Sequence, residues 1–353
     1  MKILAIETSC DDTSVAVVED GSYILSSVVS TQLEHSQYGG VVPEIAARAH
    51  IRNILPVLDE AINEAEITWK DIDAIAVTKG PGLIGSLIVG VNTTRTLALM
   101  HKKPLIAVHH TEGHIYANWL SREENEQPVF PLVCLTVSGG HTNLIYMRDH
   151  LQYEIIGETH DDAAGEAYDK VAKLLGLGYP GGLLISLLSE KGDKHKYLFP
   201  LVDLTDAPKR DSEGYLRDAE PSLDFSYSGL KTAVLREIKQ LTKDGKQLDE
   251  KQKADIAASF QYTANEILAR NLERALRKFK PKTVLLSGGV ASNVSLRKQI
   301  IERVGEQTNF LFPEAKCCTD NAAMIGAAAY YHALKREFVD PEELTPDPNY
   351  KLT

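Results

Sequence analysis

Cysteine is scarce in this 353-residue chain. The four cysteines are Cys10, Cys134, Cys317 and Cys318. None of them forms a Cys-x-x-Cys pair, so the sequence predicts neither a disulfide framework nor a thiolate zinc site. Apolar runs of transmembrane length are also lacking, and Glu7 interrupts the first apolar stretch, so we expect no signal peptide. These features favour a cytoplasmic protein with no membrane contact.

Positive charge is in the minority, since 38 Lys and Arg residues stand against 49 Asp and Glu residues, and the formal net charge is −11. A role with nucleic acid therefore requires a local basic face or a partner. The best basic stretch is a long amphipathic helix predicted over 254–280, whose alternative role is a solvated face. The chain length and the 43% hydrophobic content predict a globular protein of two domains.

Two imidazoles lie four residues apart in His109-His110-Thr111-Glu112-Gly113-His114, which follows a strand predicted over 104–108. Residues at this spacing share one face of a helix, so His110 and His114 can bind a transition metal from one side. Simple packing of the two rings is the alternative. Glu112 points away from the histidine face, which argues against a His-Glu-x-x-His peptidase.

A third ligand must come from elsewhere in the chain, and the candidate is Asp320. It precedes an alanine-rich helix predicted over 321–334. Its alternative role is to cap that helix at the N-cap position.

Glycine and hydroxyl residues follow predicted strands in three places: Glu7–Ser14, Ser138–Thr142 and Ser287–Asn293. Backbone N–H groups in such turns can face a phosphate. The first two turns each join two strands, which predicts two similar α/β halves with a cleft between them. A further glycine turn, Gly80–Ser86, links a strand to a helix and can also attract an anion.

Together these stretches resemble one family, the bacterial tRNA N6-adenosine threonylcarbamoyltransferases, formerly called O-sialoglycoprotein endopeptidases. The matching segments include Ile6–Asp11, Tyr38–Glu44, Gly80–Leu87, His109–His114, Val137–Thr142, Asp161–Lys170, Gly178–Gly182, Phe225–Val234, Ser287–Val290 and Cys318–Met324. The departures from the residues usual in the family include Asp12 in place of Glu, Leu183 in place of Pro, and Ser186 in place of Asp.

The resemblance implies two tandem actin-like (ribonuclease H-like) domains of the actin/sugar-kinase/heat-shock ATPase superfamily. We expect the first domain to comprise 1–128 plus about 318–353, and the second 129–317 with a surface insertion at about 190–222. His110, His114 and Asp320 are implied to bind one divalent metal ion, with Fe²⁺ favoured over Zn²⁺. The residues implied to bind an adenine nucleotide, threonylcarbamoyl-AMP or ATP, are Val137, Ser138, Gly139, Gly140, His141, Asp169, Gly182 and Asn293.

The function implied by the resemblance is transfer of a threonylcarbamoyl group from threonylcarbamoyl-AMP to a tRNA adenosine next to the anticodon. The expected partners are tRNA, an inactive paralogous subunit (TsaB-like) in a heterodimer, and a small ATPase (TsaE-like). The alternatives are a metallopeptidase, the historical label of the family, and an ATP-hydrolysing actin-like kinase or chaperone. The sequence identifies no general base.

Overall fold

A computed structural model of the chain describes residues 1–201, 203–205, 221–305 and 308–352. Residues 202 and 206–220 of the predicted insertion lie outside the described residues. The strands are β1 (Lys2–Glu7), β2 (Asp12–Glu19), β3 (Tyr23–Thr31), β4 (Ala74–Gly80), β5 (Leu105–His109), β6 (Leu132–Val137), β7 (Thr142–Met147), β8 (Tyr153–Glu158), β9 (Thr283–Ser287) and β10 (Phe310–Leu311). The α-helices are α1 (Pro43–Glu64), α2 (Ile84–His101), α3 (His110–Tyr116), α4 (Ala164–Leu174), α5 (Gly181–Ser189), α6 (Ser228–Leu241), α7 (Glu250–Phe279), α8 (Val294–Val304) and α9 (Ala322–Leu334).

The first lobe is built on a sheet with the strand order β3-β2-β1-β4-β5. The strand β1 pairs antiparallel with β2, which confirms the predicted hairpin, and parallel with β4. Its side chains alternate between two covered faces. Leu4 and Ile6 join the core beneath α1, whereas Ile3 and Ala5 join the core beneath α9. Because helices cover both faces, these strands are apolar throughout.

The second lobe repeats this arrangement in the order β10-β9-β6-β7-β8. The strand β6 pairs antiparallel with β7 and parallel with β9, as β1 does with β2 and β4. Its main core packs side chains of the sheet against α4, α6 and α7. The shared strand order confirms the predicted fold class, two tandem actin-like domains.

Parallel pairing decides where the functional residues meet. The strands β1, β4 and β5 run parallel, so their carboxyl ends lie at one edge of the first sheet. The parallel strands β6 and β9 end at Val137 and Ser287, which lie at the corresponding edge of the second sheet. Turns that follow parallel neighbours at such an edge line ligand sites in α/β proteins.

Several predicted helix boundaries were wrong. The helix α7 begins at Glu250 rather than 254, because Asp249 and Gln252 form a capping box there. The acidic stretch Asp161–Lys170 predicts a helix that begins at Asp161, but α4 begins at Ala164, so Asp161 and Asp162 precede its first turn. The N-cap of α9 is Asn321, whose side chain accepts a hydrogen bond from Met324 N. The capping role considered for Asp320 is therefore wrong.

The helix α9 follows the second lobe in the chain and returns to the first sheet, where Ala327 and Ala328 join the same core as Ile3. The predicted domain limits, 1–128 plus about 318–353 and 129–317, remain a proposal. In the described part of the chain, no helix combines the length and apolarity needed to cross a membrane.

Candidate metal centre and nucleotide cleft

The helix α3 starts one residue after β5 ends, and a capping box fixes that start. The Nδ1 atom of His109 accepts a hydrogen bond from Thr111 N at 3.1 Å, and the Glu112 carboxylate accepts one from His109 N at 3.3 Å. His110 and His114 then face the same side of the helix, with ring centroids 4.7 Å apart. Both rings are buried, so the pair is removed from solvent.

Asp320 joins the histidine pair from the turn before α9. Its Oδ1 atom lies 3.2 Å from His114 Nε2 and 3.6 Å from His110 Nε2. One ligand atom of each of the three residues falls within 4.8 Å of the others. The tertiary structure thus brings the three predicted metal ligands together.

A buried carboxylate supports His110 from the side opposite to Asp320. Glu7, the last residue of β1, places Oε2 3.3 Å from His110 Nδ1. Ser9 Oγ lies 3.1 Å from the same nitrogen. Thr78 of β4 and the backbone N–H of Ser9 donate hydrogen bonds to Glu7. A histidine that donates Nδ1–H to a carboxylate presents Nε2 as a ligand, as in carboxylate–histidine–metal triads.

The charged side chains of this group shift one another's pKa values. Burial opposes ionisation of His110, but the carboxylates of Asp320 and Glu7 outweigh it and raise the pKa of His110 to about 9. Burial likewise opposes ionisation of Asp320, and the nearby His110 holds the pKa of that carboxyl below its usual range. The site therefore stabilises positive charge at its centre. A bound cation would take the place of the His110 proton.

His114 supplies a direct test of whether the residues fit a metal ion. It is 1% exposed, and neither of its ring nitrogens has a hydrogen-bond partner among the described residues. The 3.2 Å approach of Nε2 to Asp320 lacks hydrogen-bond geometry. Unpaired buried nitrogens are costly, and coordination would satisfy Nε2. Two histidines and one carboxylate with open positions suit Fe²⁺ or Zn²⁺.

The turn after β6 lies across the cleft from the three candidate ligands His110, His114 and Asp320. Val137 ends the strand, and Ser138 N donates to the carbonyl of His141 at 2.8 Å. Gly139 and Gly140 at the tip are exposed, and a Cβ on either would meet nothing within 4 Å. The ring centroid of His141 lies 6.3 Å from that of His110. The turn thus connects an open backbone surface to the candidate metal site.

The turn after β9 packs directly against this one. Gly288 has φ +86°, and a Cβ there would lie 2.4 Å from the Val137 carbonyl oxygen. Only glycine allows both the positive φ and the close approach. Gly289, which follows, is again open to an incoming group. Two glycine turns therefore meet at one edge of the second sheet.

A cavity of about 690 Å³ opens beside the two turns. It is within the size range of small-molecule sites. Four predicted nucleotide contacts line it: Gly139, Asp169, Gly182 and Asn293. Of the other four, Val137 ends β6, and Ser138, Gly140 and His141 belong to the turn that follows it. Two positions that depart from the family pattern, Leu183 and Ser186, also line the cavity.

Two of the lining side chains already have protein partners. Asp169 Oδ1 accepts a hydrogen bond from Gly181 N at 2.7 Å and so secures the start of α5. Burial raises the pKa of this carboxyl above its usual value. Asn293 caps α8 by accepting from Leu296 N, and it donates to Gln261 Oε1 at 3.0 Å. Both residues shape the cavity as well as facing it.

Sequence reasoning missed Glu7, Ser9 and the partners of Glu112. A carboxylate that ends a buried strand is a usable signal for Glu7, because charge is rarely buried without a partner. No sequence signal pairs Glu112 with Tyr153 and His332, which the fold brings together.

Comparison with solved structures supports the fold. HypF in its phosphate- and nucleotide-bound form is similar to this chain with a TM-score of 0.58 and 13% identity, covering 94% of this chain and 46% of HypF. At this identity the likeness concerns the fold alone.

Sequence comparison identifies the family. The sequence profile of tRNA N6-adenosine threonylcarbamoyltransferases matches residues 23–327. The chain is 48% identical to the tRNA N6-adenosine threonylcarbamoyltransferase of Staphylococcus saprophyticus, over 93% of this chain and 90% of the relative. It is 46% identical to that of Clostridium novyi, over 100% of this chain and 98% of the relative. The chain therefore belongs to the tRNA N6-adenosine threonylcarbamoyltransferase family of transferases.

Proposed function

We propose that the protein transfers the threonylcarbamoyl group of threonylcarbamoyl-AMP to N6 of the adenosine just 3′ of the anticodon, in tRNAs that read codons beginning with A. The exocyclic amine attacks the carbamoyl carbon, the bond from that carbon to the phosphate oxygen breaks, and AMP leaves with the electron pair. The attacking nitrogen releases one proton. The observation that carries the proposal is the 6.3 Å distance between the ring centroids of His110 and His141. It places the three candidate metal ligands beside the turn Ser138–Thr142, which we call the phosphate-type turn because its backbone N–H groups can face a phosphate.

The second lobe supplies groups that hold the adenylate. The exposed tips Gly139 and Gly289 let backbone N–H groups approach a phosphate without obstruction from a side chain. Fixed N–H donors also stabilise the negative charge that develops on the leaving AMP. The remaining volume of the cavity, beside Asp169 and Asn293, would take the nucleoside.

The first lobe supplies the metal ligands. His110, His114 and Asp320 would hold one divalent ion, which we propose is Fe²⁺ rather than Zn²⁺, since two histidines and a carboxylate with open positions are typical of non-haem Fe²⁺ sites. Such an ion supplies Lewis-acid polarisation of a carbonyl group. Glu7 holds the His110 ring in the tautomer that directs Nε2 toward Asp320.

An exposed apolar face supports the proposed heterodimer with an inactive paralogous (TsaB-like) subunit. The adjoining helices α1 and α2 expose Ile51 (65%), Leu55 (63%), Ile84 and Ile88. Large exposed apolar side chains on two helices that pack together favour an interaction surface on a charged protein. We propose that the paralogous subunit binds here, and that a small (TsaE-like) ATPase and tRNA bind the assembled complex in the cytoplasm.

The reaction can be tested with the purified chain, both protein partners, tRNA and threonylcarbamoyl-AMP. Nucleoside mass spectrometry should detect threonylcarbamoyladenosine with the wild type and not with His110→Ala. Absence of product with the wild type would refute the proposed reaction. Product formation by His110→Ala at the wild-type rate would refute the metal's role.

The heterodimer surface has its own test. Leu55→Glu places a charge on the α1 face and should abolish co-elution with the paralogous subunit. Leu198→Glu is the matched control, because Leu198 is 92% exposed but lies on the second lobe. Equal binding by the two variants would contradict this docking face.

A further inference from the structure

Glu112 lies inside the histidine signature but faces away from the metal cluster. It is 3% exposed. Its carboxylate accepts hydrogen bonds from His332 Nε2, at 3.1 Å to Oε1 and 3.0 Å to Oε2. It also accepts from the Tyr153 hydroxyl and from His109 N. A buried carboxylate that accepts hydrogen bonds from three separate donors is fully engaged, so Glu112 is not available as a general base.

These donors come from different parts of the fold. His109 precedes α3, His332 lies in α9, and Tyr153 begins β8 of the second lobe. Glu112 therefore links three elements that the sequence separates by up to 220 residues.

His332 makes the link to α9 ionic. Its Nδ1 atom lies 2.6 Å from Glu337 Oε2, while Nε2 faces Glu112. Both nitrogens must carry hydrogen to donate to two carboxylates, so the ring is an imidazolium. The His332 side chain is only 18% exposed, so solvent screens its ion pair with Glu112 less than it would at the surface. The contact is consequently a strong, directional connection between α3 and α9.

The same two elements carry all three metal ligands. The helix α3 carries His110 and His114, and Asp320 occupies the turn that leads into α9. At Gly113, between the histidines and beside Glu112, an added Cβ would lie 2.7 Å from Ile325 Cδ1 of α9. The two helices thus touch next to the ligands. A shift of α3 along α9 would change the distances from both histidines to Asp320.

Tyr153 extends the connection to the second lobe. The strand β8 pairs with β7, where Tyr153 lies opposite Met147 at one end of β7 and the turn that ends at His141 lies at the other end. The Tyr153 hydroxyl therefore ties the sheet that carries this turn to the helix that carries the histidines.

We propose that Glu112 is a positioning residue that fixes α3 against α9 and against the second lobe, and so sets both the metal-ligand geometry and the distance from the metal to the phosphate-type turn. The proposal rests on the proposed function, because it assigns a purpose to the metal and the turn. Supporting residues around a metal site commonly act in this way.

The test uses Co²⁺ as the probe, because its visible spectrum reports ligand geometry. Glu112→Gln and His332→Ala are prepared in the full chain and titrated with Co²⁺ alone, without tRNA or acyl donor. We expect a loss of Co²⁺ affinity of about 10- to 100-fold and an altered spectrum for each variant. Glu337→Gln is the matched control, since it removes the more exposed of the two carboxylates on His332; its Co²⁺ affinity should equal that of the wild type.

A second readout separates positioning from a purely structural role. The unfolding temperature is measured without metal and with saturating Co²⁺. A structural role alone lowers both values equally, whereas loss of positioning shrinks the difference between them. Tyr153→Phe should keep the Co²⁺ affinity within about threefold and raise the KM for threonylcarbamoyl-AMP, since it cuts only the link to the second lobe.

Wild-type Co²⁺ affinity and spectrum in folded Glu112→Gln and His332→Ala would overturn the proposal. If one of the two variants does not fold, the other decides. The titration needs neither tRNA nor acyl donor, so its outcome is independent of whether the proposed reaction is correct.

Discussion

The carboxylate of Glu7 lies 3.3 Å from Nδ1 of His110, at the sheet edge where β1, β4 and β5 have their carboxyl ends. Glu7 is fully buried. Burial opposes its ionisation, but His110 outweighs that effect and lowers the pKa of Glu7. The pair is therefore a fixed dipole behind the proposed metal site.

Glu7→Gln should weaken Co²⁺ binding by about 10- to 100-fold, because a neutral amide is a poorer acceptor for the His110 Nδ1–H. Equilibrium titration with Co²⁺ measures the effect. Glu19→Gln, a half-exposed glutamate at the end of β2, is the control and should bind Co²⁺ normally. Equal affinities for the two variants would show that Glu7 does not support the ligand.

Removing the metal should lower the unfolding temperature, and restoring it should reverse the change. At a free metal concentration of about 100 times Kd, binding contributes about 2.7 kcal/mol to the free energy of unfolding. Differential scanning calorimetry with chelator, and then with added Co²⁺, measures this. In His114→Ala the metal-dependent difference should disappear, because one of three ligands is lost. A His114→Ala protein that Co²⁺ still stabilises fully would contradict the assignment of this ligand.

Gly113→Ala should lower the free energy of unfolding by about 1–3 kcal/mol, since the new methyl group overpacks a filled interface. Its Cβ would lie 2.7 Å from Ile325 Cδ1, and Ile325 is fully buried. Urea denaturation measures the cost. The added substitution Ile325→Val removes Cδ1 and should recover part of the loss. No recovery in the double variant would mean that the strain arises elsewhere.

His150 should make the protein less stable in acid. Its ring stacks on Tyr331 at a centroid distance of 3.7 Å, and its Nδ1 lies 3.1 Å from the Tyr116 hydroxyl. Burial lowers the pKa of His150 to about 4, with Asp149 opposing and Lys335 adding to the shift. In the unfolded chain the pKa is about 6.5. The unfolded state thus binds the proton first, and this contribution to stability is lost as the pH falls from about 6.5 towards 4.

His150→Phe keeps an aromatic ring beside Tyr331 and removes this titration. We expect the free energy of unfolding to change less between pH 7 and pH 4.5 in the variant, by about 1–2 kcal/mol after allowance for partial exposure. His195→Phe, at an exposed position, serves as the control and should follow the wild type. Parallel pH profiles for wild type and His150→Phe would exclude His150 as a source of acid sensitivity.

The sequence alone determined the features that depend on near neighbours. The spacing of His110 and His114 predicted one helix face, and the structure shows that face. Strand–turn–strand patterns predicted both hairpins, because short apolar runs and the small polar turn residues between them are encoded locally. Helix starts were less well predicted, as at Asp320 and Asn321. Both residue types cap helices well, and only the position of the Asp320 side chain beside His114 left the cap to Asn321.

Only the tertiary structure decided which distant residues meet. Asp320 reaches His114 because α9 returns to the first sheet, and Glu7 reaches His110 because β1, β4 and β5 lie parallel at one edge. Glu112 is the clearest example. Its spacing from the histidines showed that it points away from them, but not that it contacts His332 and Tyr153. Local periodicity gives the direction of a side chain, whereas its partners depend on the order in which strands and helices pack.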